Sequence, residues 1–111
     1  MTVKLVLLKS GEDVVADVAE MVVGEAQAVV GYFLKNPCTA KVYKRDSGDT
    51  EMKVTPYVPL SKDKTIPVPA DWVVSIVEPI DQLTELYLKS IKKYGKSEDS
   101  DSTESDTADA D

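Results

Sequence analysis

"KSGEDVVADVAEM", residues 9–21, decides the fold. Glu12, Asp13, Asp17 and Glu20 stand among apolar residues there, either as an acidic cluster built for chemistry or as the charges of an ordinary strand after a turn. Spacing selects the strand. Ser10-Gly11 is a turn pair, and beyond it Val14, Ala16 and Val18 fall on one side while Val15, Asp17, Ala19 and Met21 fall on the other, the two-residue period of a pleated chain. The same alternation sets Glu12 and Glu20 opposite Asp13 and Asp17, so the four carboxylates do not converge. A hard-cation loop would gather several oxygen ligands around a glycine bend, and no such loop follows. The carboxylates read as solvated turn and edge charges.

Working outward, residues 2–8 are short, apolar and rich in Val and Leu, a first strand entering the Ser10-Gly11 turn. Gly24-Glu25 makes the next turn, and residues 28–35 resume strand character, with Gly31 a bend where side-chain bulk would obstruct curvature. Asn36-Pro37 interrupts, because proline donates no ladder hydrogen bond and holds its predecessor extended. Residues 39–44 continue as a strand, "RDSGDT" (45–50) is a polar hairpin loop, and "EMKVTPYV" (51–58) pairs back. "TIPVPADWVVSIVEP" (65–79) supplies a short edge piece, a break at 69–71 and a buried strand over 72–77. After Pro79 the period changes: Ile80, Leu83, Leu86, Tyr87, Ile91 and Tyr94 form one helical stripe, with acidic residues early, lysines late and Gly95 at the place of a C-terminal cap. The tail 96–111 holds no large apolar residue and is expected to be disordered.

The totals bound what such a chain does. At 111 residues it is one domain with a modest core, so association of subunits is expected to widen a thin stability margin. The net charge of -7 is concentrated in the tail, where seven carboxylates face Lys96 alone, and the body is close to neutral. That body lacks the strongly basic footprint of a non-specific nucleic-acid binder. With no histidine and one cysteine, Cys38, a Cys/His zinc site, a cysteine-histidine nucleophile and an internal disulfide are excluded; Cys38 reads as a small buried residue. No nucleophile elbow and no glycine-rich phosphate loop occur. The expectation is a non-enzyme without cofactor or metal, located in a reducing cytoplasm, neither secreted nor set in a membrane.

Aromatic and basic residues carry the remaining chemistry. Tyr32, Tyr43 and Tyr57 lie in sequence near Lys35, Lys41, Lys44, Arg45 and Lys53, a combination suited to stacking bases and drawing phosphates. The same cluster also reads as a solvated face on lysine-guarded edge strands, which is the commoner case. For Phe33 and Trp72, inside apolar runs, packing in a core or interface is expected.

The ordered segments "LVLLKSGEDVVADVAEM" (5–21), "VVGYFLKNP" (29–37) and "VPADWVVSIVEP" (68–79) resemble the two signature motifs of the Sm-like proteins, the group of the LSm proteins and the bacterial RNA chaperone Hfq. Gly11, Val15, Ala16 and Val18 match the strand-turn-strand of the first motif, "FLKN" (33–36) resembles its closing strand, and residues 68–76 match the second. Length and spacing look closest to Sm-like proteins of cyanobacterial viruses, which implies the cytoplasm of a phage-infected host. The resemblance covers about residues 3–78 and implies a strongly bent five-stranded antiparallel barrel over residues 1–78; the C-terminal helix over 79–95 and the acidic tail beyond are read from the residues themselves, and the family's first helix has no counterpart here. It further implies a homo-oligomeric ring whose subunits meet through Ile66, Val68, Trp72, Val73, Val74 and Ile76. Family members bind uridine-rich RNA with an aspartate and an asparagine in the first motif's loop and an arginine-glycine pair in the second. Here Gly24, Glu25, Ala26 and Gln27 fill that loop, Pro69-Ala70 replaces the pair, and the lysine-histidine pair of Hfq is absent. The expected function is a ring that binds single-stranded RNA atypically, through Gln27 and Tyr32 or through Lys41, Tyr43, Lys44, Arg45 and Lys53. The alternative is a ring that binds protein partners as a scaffold.

Overall fold

The computed structural model describes residues 1–99, with side chains through residue 93. Six strands form: β1 (Val3–Leu8), β2 (Asp13–Val23), β3 (Ala28–Lys44), β4 (Thr50–Pro56), β5 (Thr65–Pro69) and β6 (Val73–Val77). A 3-10 turn (Ala70–Trp72) joins β5 to β6, and one helix, α1 (Asp81–Asp99), closes the described chain. All pairings are antiparallel, in the order β4-β3-β2-β1-β6, with β5 also on β3. The chain is mainly β, and the sheet is open, since β5 pairs only with β3 and β6 only with β1 among the described residues.

The opening stretch is a strand, and it lies at the centre. Val14, Val15 and Ala16 are all fully buried, although alternation sends them to opposite faces, so β2 is covered on both sides. On one face Val6, Leu8, Val14, Ala16, Leu34 and Val68 form a core edged by Ile66, Val73 and Ile76. On the other, Val15, Cys38 and Val54 meet Leu83 and Tyr87 of α1. The helix covers only the second face. A flat sheet would leave the first face wet, yet Val6, Val14 and Leu34 are 0% exposed. The sheet therefore curls over its own first face, as the twist of neighbouring strands favours.

Four local readings are corrected. The implied five strands are six, because the chain facing β3 is split at Pro56 and the polar stretch after it: β4 pairs with residues 38–44 and β5 with residues 31–35. Asn36-Pro37 does not end a strand but sits inside continuous β3. Asn36 takes a left-handed φ of 48°, a region asparagine tolerates, and β3 changes partner there. The Asn36 N–H donates to the Lys64 carbonyl at 2.6 Å and the Tyr57 N–H to the Pro37 carbonyl at 2.9 Å. Gly95 is not a cap, since α1 runs through it to Asp99; one glycine costs a helix only about 1 kcal/mol, and no proline follows to enforce a stop. Trp72 belongs to the 3-10 turn, so the last strand starts one residue later than expected. The expected disorder of residues 100–111 lies outside the described residues.

The helical stripe is used as its spacing suggests. Leu83 and Tyr87 are buried, Leu86 and Ile91 pack beside them, and Ile80 stays 60% exposed. The Tyr87 hydroxyl donates to the Lys35 carbonyl at 3.1 Å, which ties the middle of α1 to β3.

Candidate nucleic-acid and subunit interfaces

The β3–β4 hairpin carries four of the thirteen lysines and arginines, Lys41, Lys44, Arg45 and Lys53. Register sets Lys41 opposite Lys53, Tyr43 opposite Glu51 and Lys44 opposite Thr50. Alternation then places Lys41, Tyr43 and Lys53 on one face and Lys44 on the other, beside Val42. The Lys53 ammonium lies 5.3 Å from the centroid of the Tyr43 ring, a cation-π distance. Arg45 pairs with Glu51 at 3.2 Å and starts a tight loop in which its own N–H donates to the Asp49 carbonyl at 2.7 Å. Two ammonium groups directly across a ladder repel, and neither Lys41 nor Lys53 has a carboxylate within ion-pair distance among the described residues. The face thus presents an exposed ring flanked by uncompensated positive charge, an arrangement that attracts phosphate and accepts a stacked base.

The other expected contacts are not part of this site. Gln27 lies in the β2–β3 turn with a φ of 52°, its N–H donating to the Gly24 carbonyl at 3.1 Å. Roughly 45 Å of strand path separates it from Lys41 at the usual rise per residue. Tyr32 is half-buried, opposite Val68 in register and packed on the first core. The candidates therefore divide into a hairpin group (Lys41, Tyr43, Lys53 and Arg45), a separate turn (Gln27), a core-packed ring (Tyr32) and Lys44 on the reverse face.

The residues expected at a subunit interface also divide. Ile66, Val68, Val73 and Ile76 face the first core. Trp72 and Val74 are 43% and 64% exposed, and Val74 is the residue left over where the β1–β6 register shifts between Leu7 and Leu8. Phe33, also expected to be packed away, is 37% exposed, because alternation turns it from Leu34 toward the outer face beside Pro67. The outward backbone edges of β5 and β6 have no ladder partner among the described residues.

Two features escaped the sequence reading. Val22, Val23, Val29 and Val30 are all substantially exposed; the signal was "MVVGEAQAVV" (21–30), where paired valines break the apolar-polar alternation of a half-buried strand. A shallow apolar groove of about 230 Å³ also opens between the sheet and the start of α1, floored by Val42, Met52, Ile80 and Leu83 with Asp13 and Glu78 at its rim. Glu78 is already paired with Lys4. No group of three or more acidic or sulfur ligands comes together among the described residues. Cys38 is buried with its thiol directed to the Asn36 carbonyl, and burial pushes that thiol up to about 11, so it stays protonated near neutrality. No helix of the described residues is long and apolar enough to cross a membrane. No protein-family profile matches the chain, and no curated protein matches it.

Proposed function

We propose that this chain is an Sm-like module that assembles head to tail into a ring and binds single-stranded RNA through its β3–β4 hairpin. The observation that carries the reading is the bare margins of one curled antiparallel sheet, the outer edge of β6 on one side and those of β4 and β5 on the other. A bare edge is a template for another strand, and β5 of one subunit against β6 of the next covers an edge on each side with a single repeated contact, leaving that of β4 free. Repeated head-to-tail contacts close into rings when the rotation permits. Trp72 and Val74, exposed beside β6, are the side chains such a contact would cover.

The RNA surface in this reading is the hairpin face of Lys41, Tyr43 and Lys53. Pro69-Ala70 supplies neither a guanidinium nor a free proline N–H where the family has arginine-glycine, so the usual pocket is not the basis of recognition. Light scattering on the full chain and fluorescence anisotropy with short A-rich and U-rich RNAs test the two halves. A monomeric mass at micromolar concentration rejects the ring. An assembled particle that binds neither RNA at low salt rejects the RNA surface and leaves the scaffold reading. The scaffold reading is favoured by Leu60, 99% exposed, and by the groove at the start of α1, neither of which the RNA reading uses. A protein partner recovered from lysate of an infected bacterial host and retained after nuclease treatment supports it.

A further inference from the structure

The loop that leads into β5 and the groove at the start of α1 are complementary in shape and charge. Both ends of the loop, residues 57–64, are bonded to β3: the Tyr57 N–H donates to the Pro37 carbonyl at 2.9 Å, and the Asn36 N–H to the Lys64 carbonyl at 2.6 Å. Between them the Ser61 N–H donates to the Val58 carbonyl at 3.1 Å, closing a tight turn with Pro59 at its second position, where a fixed φ suits it. Leu60 stands third in that turn and is 99% exposed. A turn held at both ends presents this side chain with little backbone freedom left to lose on docking. One exposed leucine is ordinary on a protein surface; what sets this one apart is a site that fits it elsewhere on the same chain.

The groove, about 230 Å³, is lined by Leu5, Ala40, Val42, Met52, Ile80 and Leu83, with Asp13 and Glu78 at its rim. It is larger than the roughly 150 Å³ that admits a benzene-sized group, so a leucine side chain fits. The acidic rim decides between occupants. Residues 100–111 bring five carboxylates and no apolar side chain larger than alanine, and RNA brings phosphates, so both meet like charge there. Loop 57–64 brings Leu60 with Lys62 two residues on, and Lys62 and Lys64 outweigh Asp63. Lys4 pairs with Glu78, whereas Asp13 has no cation within ion-pair distance among the described residues. The two features also lie at the ends of the strands that the head-to-tail contact joins: the loop enters β5, and Glu78 and Ile80 follow β6. Every pairing within the sheet is antiparallel. With β5 set against a neighbour's β6 in that same sense, the residues entering β5 come beside those leaving β6, and no strand intervenes.

We propose that Leu60 of each copy seats in the α1 groove of the next, with Lys62 against Asp13, a side-chain lock on an antiparallel β5–β6 contact. This rests on the head-to-tail assembly proposed above, and it occupies within that assembly the two features that otherwise favour a protein partner. The test is oxidation of full-length Leu60→Cys/Ile80→Cys at a concentration where light scattering reports the assembled mass. A disulfide needs Cα atoms within about 7 Å, and the native Cys38 is buried. A ladder of covalent multimers is expected on a non-reducing gel, absent from either single variant. Leu60→Asp, a change at an exposed position, is expected to raise the concentration at which the particle falls to monomer by at least about tenfold. An assembled double variant that gives only monomer on the gel, or a Leu60→Asp particle as stable as the wild type, overturns the lock and leaves the head-to-tail contact standing. A ladder from Leu60→Cys/Asp71→Cys in its place reports β5 beside β6 in the parallel sense and overturns the lock as well. A monomeric wild-type mass overturns the head-to-tail reading itself.

Discussion

Gly31 and Asn36 mark two places where β3 makes special demands on its residues, and each does so by a different physical means. At Gly31 a β-carbon would lie 2.7 Å from the Val68 carbonyl oxygen, so β5 approaches too closely for any side chain. Gly31→Ala must push β5 outward, and because the obstacle is backbone the expected loss is about 1–3 kcal/mol, read as a lower urea midpoint. Asn36 absorbs the change of partner in a left-handed residue. Cys38 and Tyr87 share the second core, and burial raises both, with the Cys38 charge adding to the effect on Tyr87. The unfolded thiol titrates at its ordinary 9.0 and the folded one at about 11, so above 9 the unfolded chain loses the proton first. The thiol's contribution to stability is therefore complete below pH 9 and is lost as pH rises toward 11. Urea midpoints measured from pH 8 to 11 are expected to fall more steeply for the wild type than for Cys38→Ala.

At the scale of elements, α1 is the second layer that makes β2 doubly buried. Its stripe was legible in the sequence because Leu83, Leu86, Tyr87 and Ile91 recur at helical spacing, and a surface helix needs only one apolar face. Which face of the sheet it covers was not legible, because Val14 and Val15 are equally apolar and nothing local tells their two sides apart. Leu83, 5% exposed between α1 and Val54, tests the layer. Leu83→Ala is expected to cost about 2–5 kcal/mol, read by thermal unfolding, since the rigid sheet below cannot collapse into the space. The ribbon of residues 19–30 was read as ordinary strand for the converse reason: propensity identifies β structure but not whether another element lies over it.

For the molecule as a whole, charge separates a nearly neutral body from an acidic end, and this gives the RNA reading its sign. Lys41→Ala and Lys53→Ala are each expected to weaken binding of short RNAs and to lower the slope of log affinity against log salt by about 0.7, one phosphate contact per lysine. Fluorescence anisotropy across a salt series measures both. Removing residues 100–111 deletes five carboxylates and leaves the described helix intact, so binding at low salt is expected to tighten. The candidate site was legible as a composition, tyrosines interleaved with lysines, but not as a surface. Strand register was needed to bring Lys41, Tyr43 and Lys53 together and to send Lys44 to the reverse face. The bend at Asn36 and the packing of Tyr32 detach the remaining candidates.

By itself the sequence determined that most of the chain is strand, where most turns fall and that a helix follows Pro79, because period-two and period-3.6 patterns, glycine and proline act through near neighbours along the chain, whereas the continuity of β3 through Asn36-Pro37 and the run of α1 past Gly95 were not determined there. The tertiary structure alone decided that the sheet curls over one face and takes α1 on the other, that β3 serves two partners in turn, and that the outer edges of β4, β5 and β6 and one valine ribbon stay uncovered among the described residues. Those outcomes depend on which distant segments compete for the same edge or face. That competition is resolved by burial and hydrogen bonding across the whole molecule, and no local stretch carries it.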